Sequence, residues 1–171
     1  MTSTAIVAIL SYGHILSAMG WLGGGILTTF VVAPNLRKLP SAAALEFNAK
    51  VLPRLLRFVQ MMIGSTFLFG ILLFYYIFNG SFSSLSSTSE GMELYLGIFI
   101  ALMTAVLVWT VTLPSFKRVI KISSELLQGG QQAPPPDLAK YGNRARMGST
   151  VAILLLLVVL ATMVSVGVGA Y

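Results

Sequence analysis

Cysteine is absent from this chain of 171 residues, and histidine occurs only once, at His14. The absence of cysteine excludes disulfide bonds, thiolate metal sites and a cysteine nucleophile. Charged residues make up only 9% of the chain, whereas soluble domains contain about 25%. Because 56% of the residues are hydrophobic, the composition excludes a soluble globular domain and predicts a membrane protein.

Four long apolar stretches account for most of the chain. They cover residues 5–33, 55–78, 94–113 and 148–170, with Arg57 as the only charged residue inside them. Each is long enough to cross a hydrocarbon layer of about 30 Å, which needs about 20 apolar residues. No lysine or arginine precedes the first stretch, and it is too long for a signal peptide, so we expect it to be retained. The sequence thus predicts an all-α membrane domain over 1–171, a bundle of four transmembrane helices.

The eleven basic residues are confined to two of the connecting regions. They are Arg37, Lys38, Lys50, Arg54 and Arg57 near the first connection, and Lys117, Arg118, Lys121, Lys140, Arg144 and Arg146 near the third. The serine-rich segment 79–92 has none. The positive-inside rule therefore predicts a cell-membrane protein with cytoplasmic basic loops and both termini outside. These charges favour the bilayer's anionic lipid headgroups as partners, whereas nucleic acid is not expected, because no binding module is recognisable.

The two basic connections also carry local structural signals. Residues 117–127 alternate apolar and polar side chains at helical spacing, which predicts that the third helix continues past Pro114. We expect the glycines at 129–130 to end this helix and the proline-rich segment 131–136 to form an extended hinge. Residues 41–51 predict a short interfacial helix with Ser41 as its cap.

An internal similarity relates the two halves of the chain. Residues 33–39 and 113–119 lie 80 positions apart and share a proline followed by a small polar, an apolar, two basic and an apolar residue. The tripeptide GlySerThr also recurs, at 64–66 and at 148–150, each time after two arginines. One interpretation is a bundle of two repeated helical hairpins related by an axis along the membrane normal. The other is that the ends of spans commonly share proline and basic residues.

His14 belongs to a polar and small-residue face of the first span. Helical periodicity places His14, Ser17, Ala18, Trp21, Gly24, Gly25 and Thr28 on this face. An ionisable group in a membrane normally faces the bundle interior and a partner, and small residues allow close approach of a backbone or a flat ligand. His14 therefore either binds a ligand or handles a proton, or it is a neutral imidazole hydrogen-bonded to a serine or threonine of a neighbouring helix. The glycines serve either a ligand or simple helix packing.

The segments HILSAMGWLGG (14–24), FVVAP (30–34) and RLLRF (54–58) resemble the four-helix membrane proteins of the CopD and HemJ type. The resemblance covers residues 12 to about 75. It implies a haem b cofactor with His14 as its ligand and Trp21 and Gly24 beside it, and a role in electron transfer or haem handling. HemJ-like proteins also use a lysine in a later helix. Spans two to four contain no lysine, so the resemblance does not carry protoporphyrinogen oxidation over to this chain, and a haem-dependent membrane oxidoreductase activity stays an open question.

Depth along the spans identifies two methionines as candidate partners of His14. His14 lies about nine residues, or roughly 14 Å, from the outer end of its span, and Met103 and Met163 lie at similar depths in spans three and four. Either thioether would complete a His/Met haem site. Together with His14 they would form a copper(I) site, which suits the copper uptake linked to CopD-like proteins.

Two other functions therefore stand beside haem binding. One is a copper-linked, permease-like protein that uses His14, Met103 and Met163. The other is a non-catalytic subunit or scaffold, which would dock through its glycine-rich face onto a membrane complex or a second copy of itself.

Overall fold

Helices form nearly all of the protein in a computed structural model that describes residues 2–81, 89–129 and 135–169. In chain order the elements are α1 (Thr2–Ile26), the π-helical turn π1 (Leu27–Val32), α2 (Ala33–Leu36), α3 (Ser41–Lys50), α4 (Leu52–Phe78), α5 (Ser89–Leu107), the π-helical turn π2 (Val108–Thr112), α6 (Leu113–Gln128) and α7 (Pro136–Gly169). No strand occurs in these three ranges.

Four continuous helical segments are long and apolar enough to cross a membrane. They are Thr4–Leu36, Ser41–Phe78, Gly91–Gln128 and Pro136–Ser165. Each contains most of one predicted span, so the predicted all-α, four-helix membrane bundle is confirmed. All four extend past the predicted spans at the end of the bundle that carries residues 37–57 and 117–146, which we call the basic end. The protein is therefore a multi-pass membrane protein.

The helices pair as two hairpins. Helix α1 packs along α4, and α5 packs along α7; the two hairpins meet mainly through α3 with α6, and also through α1 with α7 and α4 with α6. The buried core consists of Trp21, Leu52, Leu56, Ile63, Val108, Leu113, Val119 and Ala152. These residues lie in the half of the bundle nearer the basic end. Many large apolar side chains, such as Leu16, Met19 and Leu68, instead lie on the outer surface, where a bilayer would cover them.

Each hairpin contains one π-helical turn directly before a proline-containing helix. Pro34 follows π1 and Pro114 follows π2 at equivalent positions. A proline ring clashes with the carbonyl four residues earlier in an α-helix and has no N–H to donate, and a wider π turn accommodates it. In both turns the residue before the proline donates its N–H to the carbonyl five residues back, Ala33 to Thr28 and Leu113 to Val108.

In both hairpins, the side chain of the residue after the proline donates a hydrogen bond to a backbone carbonyl of the preceding π turn. Asn35 Nδ2 donates a 2.8 Å hydrogen bond to the carbonyl of Val31, and Ser115 Oγ donates a 2.6 Å bond to that of Val111. Backbone acceptors near a helix break inside a membrane must be satisfied within the protein. Since these two pairs also lie 80 positions apart, the structure agrees with two related hairpins.

The connections at the basic end differ from the sequence prediction in two details. Helix α3 begins at Ser41, but its N-cap is Pro40, and no side chain caps it. Gly129 caps the end of α6 as predicted. Residues 130–134 of the predicted hinge region lie outside the described residues, and Pro136 is not extended but begins α7, because proline suits the first turn of a helix.

Candidate functional site

His14 lies half-buried on the face of α1 that turns toward the other helices. On the same face Ser17, Trp21 and Thr28 are buried, so the face predicted from helical periodicity is the interior one. The imidazole contacts α4, where its Nδ1 lies 2.9 Å from the backbone carbonyl oxygen of Thr66. His14 thus has its partner on a neighbouring helix of the same hairpin.

This hydrogen bond determines which ring nitrogen carries the proton. A carbonyl oxygen can only accept, so Nδ1 of His14 must carry the hydrogen and donate it to Thr66. In the neutral ring, Nε2 then keeps its lone pair. Metal-ligating histidines commonly have this arrangement, in which one ring N–H bonds to a carbonyl and the other nitrogen binds the metal. In this tautomer, Nε2 is the ring atom whose lone pair is left for a metal or a proton.

Gly70 provides the space that the imidazole occupies. A Cβ atom at position 70 would lie 3.0 Å from Cε1 and 3.2 Å from Nδ1 of His14. Gly70 lies one helical turn after Thr66. The carbonyl of Thr66 therefore points along α4 toward Gly70, which has no side chain. The Thr66 hydroxyl is occupied elsewhere, since it donates a 2.7 Å bond to the carbonyl of Met62.

Thr66 and Gly70 were not identified as site residues from the sequence. Their spacing in the sequence is the feature that points to them, because two small residues four positions apart let transmembrane helices approach closely. In the sequence, Thr66 stands out only as part of the repeated GlySerThr motif. That motif places its members differently in the two hairpins: a Cβ at Gly64 would meet nothing within 4 Å, whereas one at Gly148 would lie 2.5 Å from Thr112 Oγ1.

The glycines of α1 bring this helix close to α4. A Cβ at Gly13 would lie 2.8 Å from Phe69 Cζ, one at Gly20 would lie 2.6 Å from Met62 Sδ, and one at Gly24 would lie 3.0 Å from Val59 Cγ2. Helix packing is therefore the observed role of Gly24. The close approach also brings His14 within hydrogen-bond distance of the α4 backbone.

Trp21 lies two turns from His14 toward the basic end and is only 4% exposed. Its ring packs against Phe67 of α4, with the ring centroids 6.0 Å apart. Trp21 belongs to the apolar core. It therefore closes the bundle interior on one side of the histidine.

The two methionines lie in the other hairpin. Met103 of α5 is 52% exposed. Met163 of α7 packs toward α5, with its Cε 3.3 Å from the position of a Cβ at Gly97. Their role as metal ligands stays a prediction.

The donor chemistry of the site is limited to one imidazole. Within the described ranges there is no group of three or more His, Cys, Asp or Glu side chains that could hold a metal ion, and no acidic side chain pairs with His14. Comparison of the chain with protein-family models, with curated proteins and with solved structures finds no match.

Proposed function

We propose that this protein binds haem b in the membrane, with Nε2 of His14 as an axial ligand, and takes part in electron transfer or haem handling. The observation that carries the proposal is the hydrogen bond from Nδ1 of His14 to the Thr66 carbonyl. This bond leaves the lone pair of Nε2 available for a metal. The imidazole of a histidine is a common protein ligand of haem iron. The resemblance of residues 14–24 to the CopD and HemJ type supports the same cofactor.

The chemistry of the residues around His14 suits a histidine that binds haem iron. Thr66 holds the ring orientation and makes the imidazole a stronger donor, as a carbonyl partner does in metal sites. Gly70 leaves room for that orientation, and the buried Trp21 and the half-buried Phe67 exclude water on the side of the basic end. A bound haem would supply one-electron redox chemistry, while these residues bind it and orient its ligand.

Visible absorption spectra of the purified protein test this proposal. After expression with haem supplied, the protein in detergent is expected to show a Soret band, with sharpened α and β bands once dithionite is added. The haem content, measured as the pyridine haemochrome, gives the occupancy per chain. A folded but colourless protein obtained under these conditions would refute haem binding.

We also infer that the basic end lies in the cytoplasm at the anionic lipid surface, with both termini on the opposite side of the cell membrane. Only two ion pairs occur among the described residues, Lys50 with Glu46 and Lys121 with Glu125, and both are exposed. The other nine basic side chains are left without an acidic partner in this part of the chain. Unpaired cations at one end of a bundle favour the cytoplasmic, anionic headgroups.

The absence of cysteine allows a direct test of this orientation. We expect Thr4→Cys to react with a membrane-impermeant maleimide in intact cells, because Thr4 is exposed at the end far from the basic residues. Ser41→Cys, which is exposed at the basic end, is expected to react only after the cells are permeabilised. The cysteine-free parent protein is the control for background labelling. The reverse labelling pattern would contradict the orientation.

A further inference from the structure

Two arginines lie on the outward face of α4, close to the beginning of this helix. Arg54 and Arg57 are both exposed, and they lie one helical turn apart, so their side chains are neighbours. Leu56 and Ile63 are buried on the opposite side of the same helix. The two arginines therefore face the surroundings of the bundle and not its interior.

Neither guanidinium group has a partner within the described part of the chain. Arg54 and Arg57 take part in no ion pair and no side-chain hydrogen bond there, whereas Arg37 donates a 2.9 Å hydrogen bond to Oδ1 of Asn143. Like charges on adjacent turns of a helix repel each other, and each guanidinium has five N–H donors. An anion that accepts hydrogen bonds from both side chains would relieve this repulsion.

Arg57 lies deeper in the bundle than Arg37 does. Its neighbour Phe58 meets α1 at Gly24, where a Cβ atom would lie 3.6 Å from Cε1 of Phe58. Arg57 is thus level with Gly24, whereas Arg37 lies 13 residues farther along the chain, roughly 20 Å nearer the basic end. In a bilayer, an exposed and unpaired arginine is tolerated where its long side chain reaches the headgroups. Arg57 therefore marks an edge of the hydrocarbon layer.

The length of α4 agrees with this placement. Tyr75, which is 65% exposed, follows Arg57 by 18 residues, or about 27 Å of helix. The hydrocarbon layer is about 30 Å thick, and tyrosine is enriched at both of its edges. Between these two residues the outward face of α4 exposes the apolar side chains of Met61, Leu68 and Ile71. The arginine pair thus lies at the level of the lipid phosphates, and apolar side chains continue from it along the acyl chains.

We propose that Arg54 and Arg57 form a binding site for the phosphate group of an anionic phospholipid, whose acyl chain lies along Met61 and Leu68. The guanidinium fork matches two phosphate oxygens, so each arginine can donate two hydrogen bonds. An anionic lipid is favoured over a zwitterionic one, because α4 has two positive charges here and no acidic side chain for an ammonium group. The inference rests on the proposed contact between the basic end and anionic headgroups, but neither on the side that this end faces nor on haem.

Native mass spectrometry of the protein in detergent, titrated with phosphatidylglycerol or with phosphatidylcholine, tests the proposal. The first phosphatidylglycerol is expected to bind about tenfold more tightly than phosphatidylcholine, because hydrogen bonds between charged groups are strong. Equal affinity for the two lipids would mean that the arginines do not select an anionic lipid, and the proposal would fail. Displacement of phosphatidylglycerol by millimolar inorganic phosphate would overturn it as well, because the site would then recognise free phosphate.

The double variant Arg54→Gln, Arg57→Gln is expected to lose this preference, with its affinity for phosphatidylglycerol falling about tenfold. Glutamine is a good helix former, so α4 is expected to be retained. The matched control is Lys117→Gln, Arg118→Gln, which removes two charges of α6 that are also exposed and without an ion pair. We expect this control to bind phosphatidylglycerol like the wild type. An equal loss of affinity in both double variants would indicate general charge attraction and would refute a site at Arg54 and Arg57.

Discussion

Replacing His14 by alanine is expected to abolish haem binding, with loss of the Soret band from the purified protein. No other residue can take over the ligation in the same way, because the chain contains no second histidine and no cysteine. The measurement is the haem-to-protein ratio of the variant beside that of the wild type. Ser17→Ala is the matched control, because Ser17 lies one turn away on the same buried face and is expected to leave the ratio unchanged.

Chemical rescue separates ligation from folding in this experiment. In His14→Gly, added imidazole is expected to restore the Soret band, since it can supply the missing nitrogen donor in the space left by the side chain. A glycine in a helix costs about 1 kcal/mol relative to alanine, so circular dichroism must first show that the variant keeps its helices. Full haem occupancy in His14→Ala would reject the assignment of His14 as the axial ligand.

Replacing Gly70 by alanine is expected to produce the second largest effect. The new Cβ would lie 3.0 Å from His14 Cε1, which is too close for an ordinary van der Waals contact, so the ring or the helix must shift. The 2.9 Å bond from His14 to Thr66 then weakens, and the ring loses its orientation. Loss of such an orienting partner typically lowers metal affinity about 10- to 100-fold, and we expect a decrease of this size in a haem titration.

Gly64→Ala is the matched control on the same helix. A Cβ at position 64 would meet nothing within 4 Å, so this variant changes only the helix propensity, by about 1 kcal/mol in favour of the helix. We expect it to bind haem like the wild type and to unfold at the same or a slightly higher temperature. If Gly70→Ala and Gly64→Ala bind haem equally well, Gly70 does not position the histidine.

Much of the fold could be predicted from the linear sequence because the lipid bilayer imposes it. A lipid interior cannot hydrogen-bond the backbone, so long apolar stretches must be helical, and their number follows from their length. The continuation of the third helix past Pro114 was also predictable from its apolar spacing. The π turns before Pro34 and Pro114 were not, because proline can be accommodated in several ways and the neighbouring helices decide which.

The candidate site was predictable only in part. Helical periodicity identified His14 and its face, because residues at 3.6 per turn share a side whatever the fold. Its partner Thr66 is 52 positions away, and the contact is to a backbone atom, which every residue has and no side-chain pattern reveals. The depths of Met103 and Met163 in the membrane were also estimated from the sequence. Their helices, α5 and α7, pair with each other, and the sequence pattern did not reveal this pairing.

The sequence by itself determined that this is a membrane bundle of four helices with one histidine on an interior face, because hydropathy and helical period depend on local composition alone. Only the tertiary structure decided which helix that histidine meets and which ring nitrogen carries the proton. These features depend on how closely two helices approach. That distance is set by the glycines at 13, 20, 24 and 70 together with the side chains opposite them, a relation between residues distant in the chain.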